Sequence, residues 1–105
     1  MSRHQDYEWL FRKAPVMTAS IAQDGTFLDV NDAMLERLGY TLDEVVGRKP
    51  EAFLSAESAE RLRDEFRPAL RRRGKLENKY ISLVAASGEV VDCITNAFIE
   101  SGGDG

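Results

Sequence analysis

Apolar residues near the N-terminus recur at the spacing of one helix face. They lie at offsets 0, 3, 4 and 7 and are Tyr7, Leu10, Phe11 and Ala14. This spacing predicts an amphipathic helix that ends at Pro15. Trp9 falls outside the stripe, so its ring turns away from the face that docks the helix. Such a ring either contacts a partner or is a partly exposed side chain at a frayed end.

Two short apolar runs follow, separated by a turn signal. Residues 16–22 are apolar and partly β-branched, and Phe27–Val30 is a second run. Asp24-Gly25 between them is typical of a hairpin turn, because glycine adopts a positive φ without steric cost. The pattern therefore predicts two antiparallel strands.

Two short helices are predicted next, each with its own boundary signals. The first can be capped by Asn31 or Asp32 and ended by Gly39. Its apolar residues share one face and are Met34, Leu35 and Leu38. The second begins at a capping box in which Thr41 and Glu44 each bond the other's backbone amide.

A longer helix is predicted after an irregular stretch over residues 48–57, where Phe53 and Leu54 are expected to be buried. The helix ends at Gly74, and its apolar side is formed by Leu62, Phe66, Ala69 and Leu70. Pro68 lies inside this pattern and removes a backbone hydrogen bond, which predicts a kink or two helical pieces. The cations of residues 71–73 are either a binding patch or, more commonly, a solvated cap that stabilises the last carbonyls.

The C-terminal part of the chain predicts a second hairpin. β-forming residues occupy 76–84 and 90–99 and are joined by a turn over residues 86–89. On the later strand one face carries Val91, Cys93, Thr95, Ala97 and Ile99, and the other carries Asp92, Ile94, Asn96 and Phe98. Neither face is wholly polar, so both faces are expected to be covered.

Composition limits the chain to one small domain with an ordinary core, since it has 105 residues of which 43% are hydrophobic. A net charge of −4 lacks the basic excess that nucleic acid or an anionic membrane surface requires. The longest uncharged stretch, residues 14–23, is about half the roughly 20 residues of a membrane helix. The single cysteine, Cys93, excludes an internal disulfide and fits a reducing cytosol. We therefore expect a cytoplasmic domain without nucleic-acid or membrane contact.

Catalytic and metal-binding motifs are absent from the sequence. It contains no glycine-rich phosphate loop, no histidine pair and no evident base beside a serine or Cys93. His4 is the only histidine. The chain is therefore not expected to be an enzyme or to bind a metal.

The ordered set of elements resembles a PAS domain, the sensory module of bacterial signalling proteins. The resemblance covers residues 7–105 and is most specific in APVMTASIAQDGTFLDVNDAMLERLGYTLDEVVGR. The family's marks in this stretch fall on Asn31, Gly39, Tyr40 and Gly47. The later hairpin turn at Ser87-Gly88 also matches the family.

The resemblance implies an α+β fold with an antiparallel sheet that short helices cover on one face, enclosing a pocket. It divides this single domain into a flanking helix (residues 1–14), a core (residues 15–100) and a flexible, truncated end (residues 101–105). The family's fifth strand, which lies between the first and fourth, is missing. We therefore expect two unpaired inner edges, a gap that a neighbouring chain covers, and a fragment of a longer protein.

The resemblance also bears on cofactors, and none is predicted. A haem is not expected, because it needs an axial ligand such as a histidine on the long helix and His4 precedes the first helix. Covalent flavin is excluded, because Lys49-Pro50-Glu51-Ala52 stands where the photoreceptor branch has its cysteine. A non-covalent small ligand stays possible. Cys93 is read as a small apolar filler, with a redox or ligand role as the alternative.

The resemblance favours a sensory input module of a larger signalling protein, of the histidine kinase (two-component) or diguanylate cyclase type. Its partners would be the parent's output domain, a second copy of itself and a small molecule. The expected ligand pocket consists of Met17, Asn31, Phe53, Phe66, Leu83, Cys93 and Thr95. An alternative is a ligand-free dimerisation module, and the expected dimer interface consists of Tyr7, Trp9, Leu10, Phe11, Ile94 and Phe98. A stand-alone enzyme or carrier is less favoured, because the polar pocket candidates are too few.

Overall fold

A four-stranded sheet is packed against a layer of short helices. The computed structural model describes residues 9–100. The strands are β1 (Met17–Ile21), β2 (Phe27–Val30), β3 (Lys75–Val84) and β4 (Val90–Ile99). Residues 9–13 form α1 as far as it is described, and the later helices are α2 (Asp32–Leu38), α3 (Leu42–Val45), α4 (Ala56–Arg61) and α5 (Arg67–Arg73). A 3₁₀ turn covers Pro50–Phe53, and the core lies between the sheet and helices α2 to α5.

The sheet is closed at the point where the sequence predicted a gap. Its strand order is β2-β1-β4-β3, and β1 pairs directly with β4 in parallel, from Met17 opposite Thr95 to Ile21 opposite Ile99. The prediction of two unpaired inner edges is therefore wrong, and the sheet is mixed instead of wholly antiparallel. An unmet buried amide costs about 1–3 kcal/mol, so two neighbouring strands gain by bonding each other. No gap is left there for a neighbouring chain to cover.

Both predicted hairpins are present. β1 and β2 are antiparallel, and Gly25 in their turn has a φ of +90° and donates its amide to the Ala22 carbonyl at 2.9 Å. β3 and β4 are antiparallel across their whole length apart from one irregularity between Leu76 and Lys79. Asn78 in that irregularity has a φ of +54° and marks a β-bulge.

The helix boundaries follow the predicted local signals. Asn31 is the N-cap of α2, and Gly39 ends that helix with a φ of +79°. At α3 the Glu44 carboxylate accepts a hydrogen bond from the Thr41 amide at 2.8 Å, as predicted. The Thr41 side chain faces the Glu44 amide in return, which completes the predicted capping box, and the Glu44 amide also donates to the Thr41 carbonyl at 3.1 Å.

Pro68 divides the longer helix as predicted. A single π turn (Leu62–Phe66) joins α4 to α5, and the Arg67 amide donates to the Leu62 carbonyl. Proline offers no amide to the preceding turn and crowds its carbonyls, and the wider turn accommodates both effects. The buried residues of this segment include Phe66 and Leu70, the anchors expected from the sequence.

Helix α1 lies on the sheet face opposite the other helices. Phe11 contacts Phe98 of β4 edge to face, with ring centroids 6.1 Å apart. Arg12 Nη2 donates to both carboxylate oxygens of Asp29 at 2.8 Å, and Arg12 Nη1 donates to the Val30 carbonyl at 2.6 Å. Leu10 was predicted on the docking face but is 56% exposed, so that prediction is wrong. A bidentate arginine and an aromatic contact hold the helix in its place.

Candidate functional site

A cavity of about 80 Å³ lies between the inner face of the sheet and the helices. Its walls are mainly apolar, and the sheet contributes Ala19, Ile21, Ile81 and Leu83 while the helical layer contributes Leu62 and Phe66. A cavity needs at least about 10–15 Å³ to hold one water molecule. The cavity of about 80 Å³ exceeds that minimum several-fold, so it has room for a small occupant.

The predicted pocket residues divide into two groups. Phe66, Leu83 and Thr95 line the cavity. Met17 and Phe53 instead belong to the packed core, where their exposed fractions are 8% and 6%. Whether any of these residues holds a ligand stays a prediction, but the structure brings only the first three to the cavity wall.

Asn31 is fully buried and does not line the cavity, and its side chain instead bonds the backbone around it. Its side-chain oxygen accepts from the Thr18 amide at 3.1 Å and from the Met34 amide at 3.3 Å. Its side-chain nitrogen donates to the carbonyls of Val16 at 2.8 Å and Ala14 at 3.3 Å. One carboxamide thereby joins the chain before β1, the strand itself and the start of α2.

Cys93 is half-buried on β4, and its thiol lies 3.6 Å from the Ile81 carbonyl. Burial raises the pKa of the Cys93 thiol, because the thiolate loses hydration. The thiol is therefore protonated at neutral pH, and a protonated thiol is a poor nucleophile. This environment agrees with the apolar-filler interpretation.

The cavity wall also contains basic residues that were not among the predicted pocket residues. They are Arg67, Arg71 and Lys79. Of these, Arg71 belongs to the run that the sequence indicated as a binding patch or a solvated cap. Arg67 Nη2 donates to both carboxylate oxygens of Glu51, at 2.9 and 2.8 Å. Partial burial acts to raise the pKa of Glu51, but the hydrogen bonds from Arg67 and the Glu51 backbone outweigh it and hold that pKa below its usual value.

Lys79 reaches the inner face of the sheet because of the bulge at Asn78. Simple alternation from the buried Leu76 places residue 79 on the outer face. The bulge inserts an extra residue, so Lys79 shares the inner face with Ile81 and lies opposite Thr95. An asparagine in a β-rich run was the only signal for this change of face, since asparagine tolerates the left-handed conformation.

The outer face of the sheet presents an apolar surface. Tyr80, Ile94 and Val90 are 55%, 52% and 57% exposed, and Tyr80 lies opposite Ile94 in the register of β3 and β4. We call these three residues with Phe98 the outer-face patch. Trp9 and Leu10 of α1 are also exposed, at 64% and 56%.

Five residues of the predicted dimer interface are described by the structure. Trp9, Leu10 and Phe11 lie on α1, and Ile94 and Phe98 belong to the outer-face patch. Phe98 is partly covered by Phe11, and Tyr7 lies outside the described residues. Tyr80, which the sequence analysis did not select, extends the surface onto β3. Dimerisation itself stays a prediction.

Within residues 9–100, no helix has both the length and the hydrophobicity that crossing a bilayer requires. The same span contains no cluster of His, Cys, Asp or Glu side chains arranged to hold a metal ion. His4 lies outside it, so the prediction about haem stays a prediction.

Three solved structures with a similar fold come from bacterial proteins. A PAS domain from Colwellia psychrerythraea is 17% identical with a TM-score of 0.67, and the match covers 87% of this chain and 76% of that one. A domain of a sensory box sensor histidine kinase/response regulator from Geobacter sulfurreducens is 20% identical with a TM-score of 0.67, covering 88% and 79%. The PAS domain of a LuxR-family transcriptional regulator from Burkholderia thailandensis, in complex with ethanol, is 24% identical with a TM-score of 0.61, covering 85% and 78%.

A comparison with curated protein sequences found no match. A family model does match, and its description is the PAS fold. The match extends over residues 11–93, from α1 into β4, and so includes the hairpin of β1 and β2, all the helices of the inner layer and most of the cavity wall, but not the wall residues of β4 from Thr95 to Ile99. The chain therefore belongs to the PAS fold family.

Proposed function

We propose that the chain is a sensory input module of a larger bacterial signalling protein and that it binds a small molecule non-covalently. The observation that carries this proposal is the mainly apolar cavity of about 80 Å³ between the sheet and the helical layer. Both layers contribute to its wall, so an occupant contacts the sheet and the helices at once. Binding that differs between two arrangements of these layers would shift their populations.

Helix α1 supplies a route from the cavity to the rest of a parent protein. It is tied to β2 through Arg12 and Asp29, and it rests on Phe98 of β4 through Phe11. The inner faces of the same sheet form part of the cavity wall. A change in sheet geometry on binding therefore alters the platform that holds α1, with no chemical step required.

We propose a cytoplasmic parent of the histidine kinase or diguanylate cyclase type, with this module in a non-catalytic role. Support comes from two structural relatives, one from a sensor histidine kinase/response regulator and one from a LuxR-family regulator. Both place a similar fold in a signalling protein. The relative solved with ethanol adds that this fold can be crystallised with a small molecule.

Native mass spectrometry of the chain, purified without denaturation and then incubated with a small-molecule library, tests the proposal. Ala97 lines the cavity, so Ala97→Leu places a branched side chain in the space a ligand needs. We expect ligand adducts with the unaltered chain and at least a tenfold loss of adducts in Ala97→Leu. Ala56→Leu, at an exposed position outside the cavity wall, is the matched control and should bind normally. Equal binding by Ala97→Leu, or no adduct with any compound, contradicts the proposal.

A second candidate, which can operate together with the first, is homodimerisation. The outer-face patch favours it, because aromatic and aliphatic side chains lie exposed on adjacent strands beside the exposed Trp9 and Leu10. Two copies of a sensor module related by a two-fold axis would present a symmetric signal to an output domain.

A further inference from the structure

The charge of the cavity wall has the opposite sign to that of the whole chain. The chain carries a net charge of −4, with 18 acidic and 14 basic residues. The described residues that line the cavity include Arg67, Arg71 and Lys79 but no Asp or Glu. The charged side chains that a ligand meets in the described part of the cavity wall are therefore all cations.

Two of these three cations have no anionic partner among the described residues. Arg67 is neutralised by Glu51 at 2.8 Å. For Arg71 and Lys79, no carboxylate within residues 9–100 lies at ion-pair distance. Within residues 9–100, their positive charge is therefore not neutralised by an ion pair.

Arg71 and Lys79 line the same cavity from different layers, Arg71 from α5 and Lys79 from β3. Arg71 is exposed in the last turn of α5, and its planar guanidinium can donate two parallel hydrogen bonds. Lys79 is half-buried on the inner face of the sheet, among apolar neighbours such as Ile81. Partial burial lowers the local dielectric and strengthens its attraction for an anion.

The remainder of the wall restricts the ligand to one charged end. The interior is lined by side chains such as Ile21, Phe66 and Leu83, and a second charge placed there would lose its hydration without a partner. We infer that the ligand is a small monocarboxylate, with its carboxylate at Arg71 and Lys79 and a short apolar tail inside the cavity. This inference rests on the proposed function, because it names the ligand class of the same cavity.

The test compares hexanoate with hexan-1-ol, which has the same number of carbon atoms but no charge. Each is titrated into the ¹⁵N-labelled chain at matched ionic strength, and amide shifts of the cavity-lining residues are followed by NMR. We expect hexanoate to bind at least about tenfold more tightly, the scale of a charge-assisted hydrogen bond. Acetate, which lacks the tail, should bind more weakly than hexanoate.

Substitutions test whether Arg71 and Lys79 cause the preference for hexanoate over hexan-1-ol. Arg71→Gln and Lys79→Gln should each reduce the preference for hexanoate several-fold, and the double variant should abolish it. Arg73→Gln is the control, because Arg73 lies in the same helical turn but not in the cavity wall. A preference that survives in the double variant overturns the inference.

The remaining outcomes separate this inference from the proposed function. Equal affinities for hexanoate and hexan-1-ol, with shifts at the cavity, overturn the monocarboxylate inference and leave small-molecule binding standing. Acetate binding as tightly as hexanoate overturns the part assigned to the apolar tail. If neither six-carbon compound shifts the cavity amides, the monocarboxylate inference is overturned, and the library experiment described above decides separately whether the cavity binds any small molecule.

Discussion

Asn31 connects three chain segments through one buried side chain. Its carboxamide accepts from the amides of Thr18 and Met34 and donates to the carbonyls of Val16 and Ala14. Both ends of the amide are used, so no single-function side chain of the same size replaces it. The sequence predicted either Asn31 or Asp32 as the helix cap and matched Asn31 to a family mark, but only the structure shows the bonds of Asn31 to the chain before β1.

Replacing Asn31 by alanine should destabilise the protein by about 2–4 kcal/mol. Removal of an N-cap costs about 1 kcal/mol, and each buried backbone group left without a partner adds a similar amount or more. Chemical denaturation monitored by circular dichroism measures the change. Asn31→Asp keeps the oxygen that accepts from Thr18 and Met34 but turns a second acceptor toward the carbonyls of Val16 and Ala14, so it should not recover the stability of the unaltered chain. An Asn31→Ala protein as stable as the unaltered chain would contradict the bonding role.

The ion pair of Glu51 and Arg67 predicts a stability that depends on pH. The pKa of Glu51 is lower in the folded protein than its usual value of 4.5, so the folded state favours the ionised carboxylate. Its contribution is present above the unfolded pKa and is lost as the pH falls through the folded pKa.

The unaltered chain should therefore exceed Glu51→Gln in stability at pH 7, and the difference should shrink as the pH falls below about 4.5. Urea denaturation of both proteins from pH 7 to pH 3 measures it. Glu57→Gln, which changes an exposed glutamate, is the control and should show a smaller dependence. A difference that is constant across this range would show that Glu51 is not ionised preferentially in the folded state.

At the scale of elements, the described residues of α1 are attached to the rest of the domain through partly exposed ion pairs and one aromatic contact. Its cations reach carboxylates on β2 and at the start of α2, with Arg12 bonding Asp29 and Lys13 bonding Asp32. All four side chains are partly exposed, and pairs of this kind are worth about 1 kcal/mol or less. The attachment is therefore weak enough to respond to changes in the sheet.

Arg12→Gln should loosen α1 while leaving the rest of the domain folded. The bidentate contact to Asp29 and the bond to the Val30 carbonyl are lost together. Hydrogen exchange should accelerate by about fivefold in residues 9–13 and change little in β3 and β4, a factor that corresponds to about 1 kcal/mol. Lys13→Gln removes a single exposed contact and should have the smaller effect. If hydrogen exchange in Arg12→Gln is unchanged, Arg12 does not hold α1 on the sheet, and the contact of Phe11 with Phe98 is sufficient.

The sheet edges are a further feature of the elements that the sequence did not reveal. Beside β3, the Ser58 hydroxyl accepts from the Ser82 amide at 2.9 Å, and the Ser55 amide donates to the Ser82 carbonyl at 3.1 Å. At β2, the Phe27 amide donates to the Arg48 carbonyl at 2.9 Å. Loop and helix groups thus occupy edge positions, which limits pairing with other chains there. Association is consequently favoured on the face of the sheet and not at these edges.

For the whole molecule, the outer-face patch predicts concentration-dependent dimerisation. Ile94→Lys places a charge at the centre of the apolar surface beside Tyr80, and we expect it to weaken self-association at least tenfold. Sedimentation equilibrium measures the dissociation constant. Val46→Lys is the matched control, because Val46 is a similarly exposed apolar residue in α3's C-cap.

Trp9→Ala forms a second arm of the same experiment. A reduced association in Trp9→Ala assigns α1 to the interface, whereas an unaltered one removes Trp9 as an anchor and leaves the strands. A chain that is monomeric at all concentrations, or an Ile94→Lys protein that associates normally, would contradict the dimer proposal.

Local signals were sufficient to predict most elements of this protein. Turn glycines, helix caps and the interrupting Pro68 act within a few residues of their own position, so their effects do not depend on the remainder of the chain. The ordered set of these signals also identified the PAS family, and the family model that matches residues 11–93 confirms this identification. Burial of Phe53, Phe66 and Leu70 followed from the same patterns.

The tertiary structure alone decided the features that depend on distant contacts. The parallel pairing of β1 with β4 arises because two central strands satisfy each other's amides. The bulge at Asn78 moves Lys79 to the inner face, and the fold then brings Arg71 of α5 to the same cavity. Residues close together in the chain determine the turns and the periodicity of helices and strands. The pairing of β1 with β4 and the charge of the cavity wall depend on residues far apart in the chain.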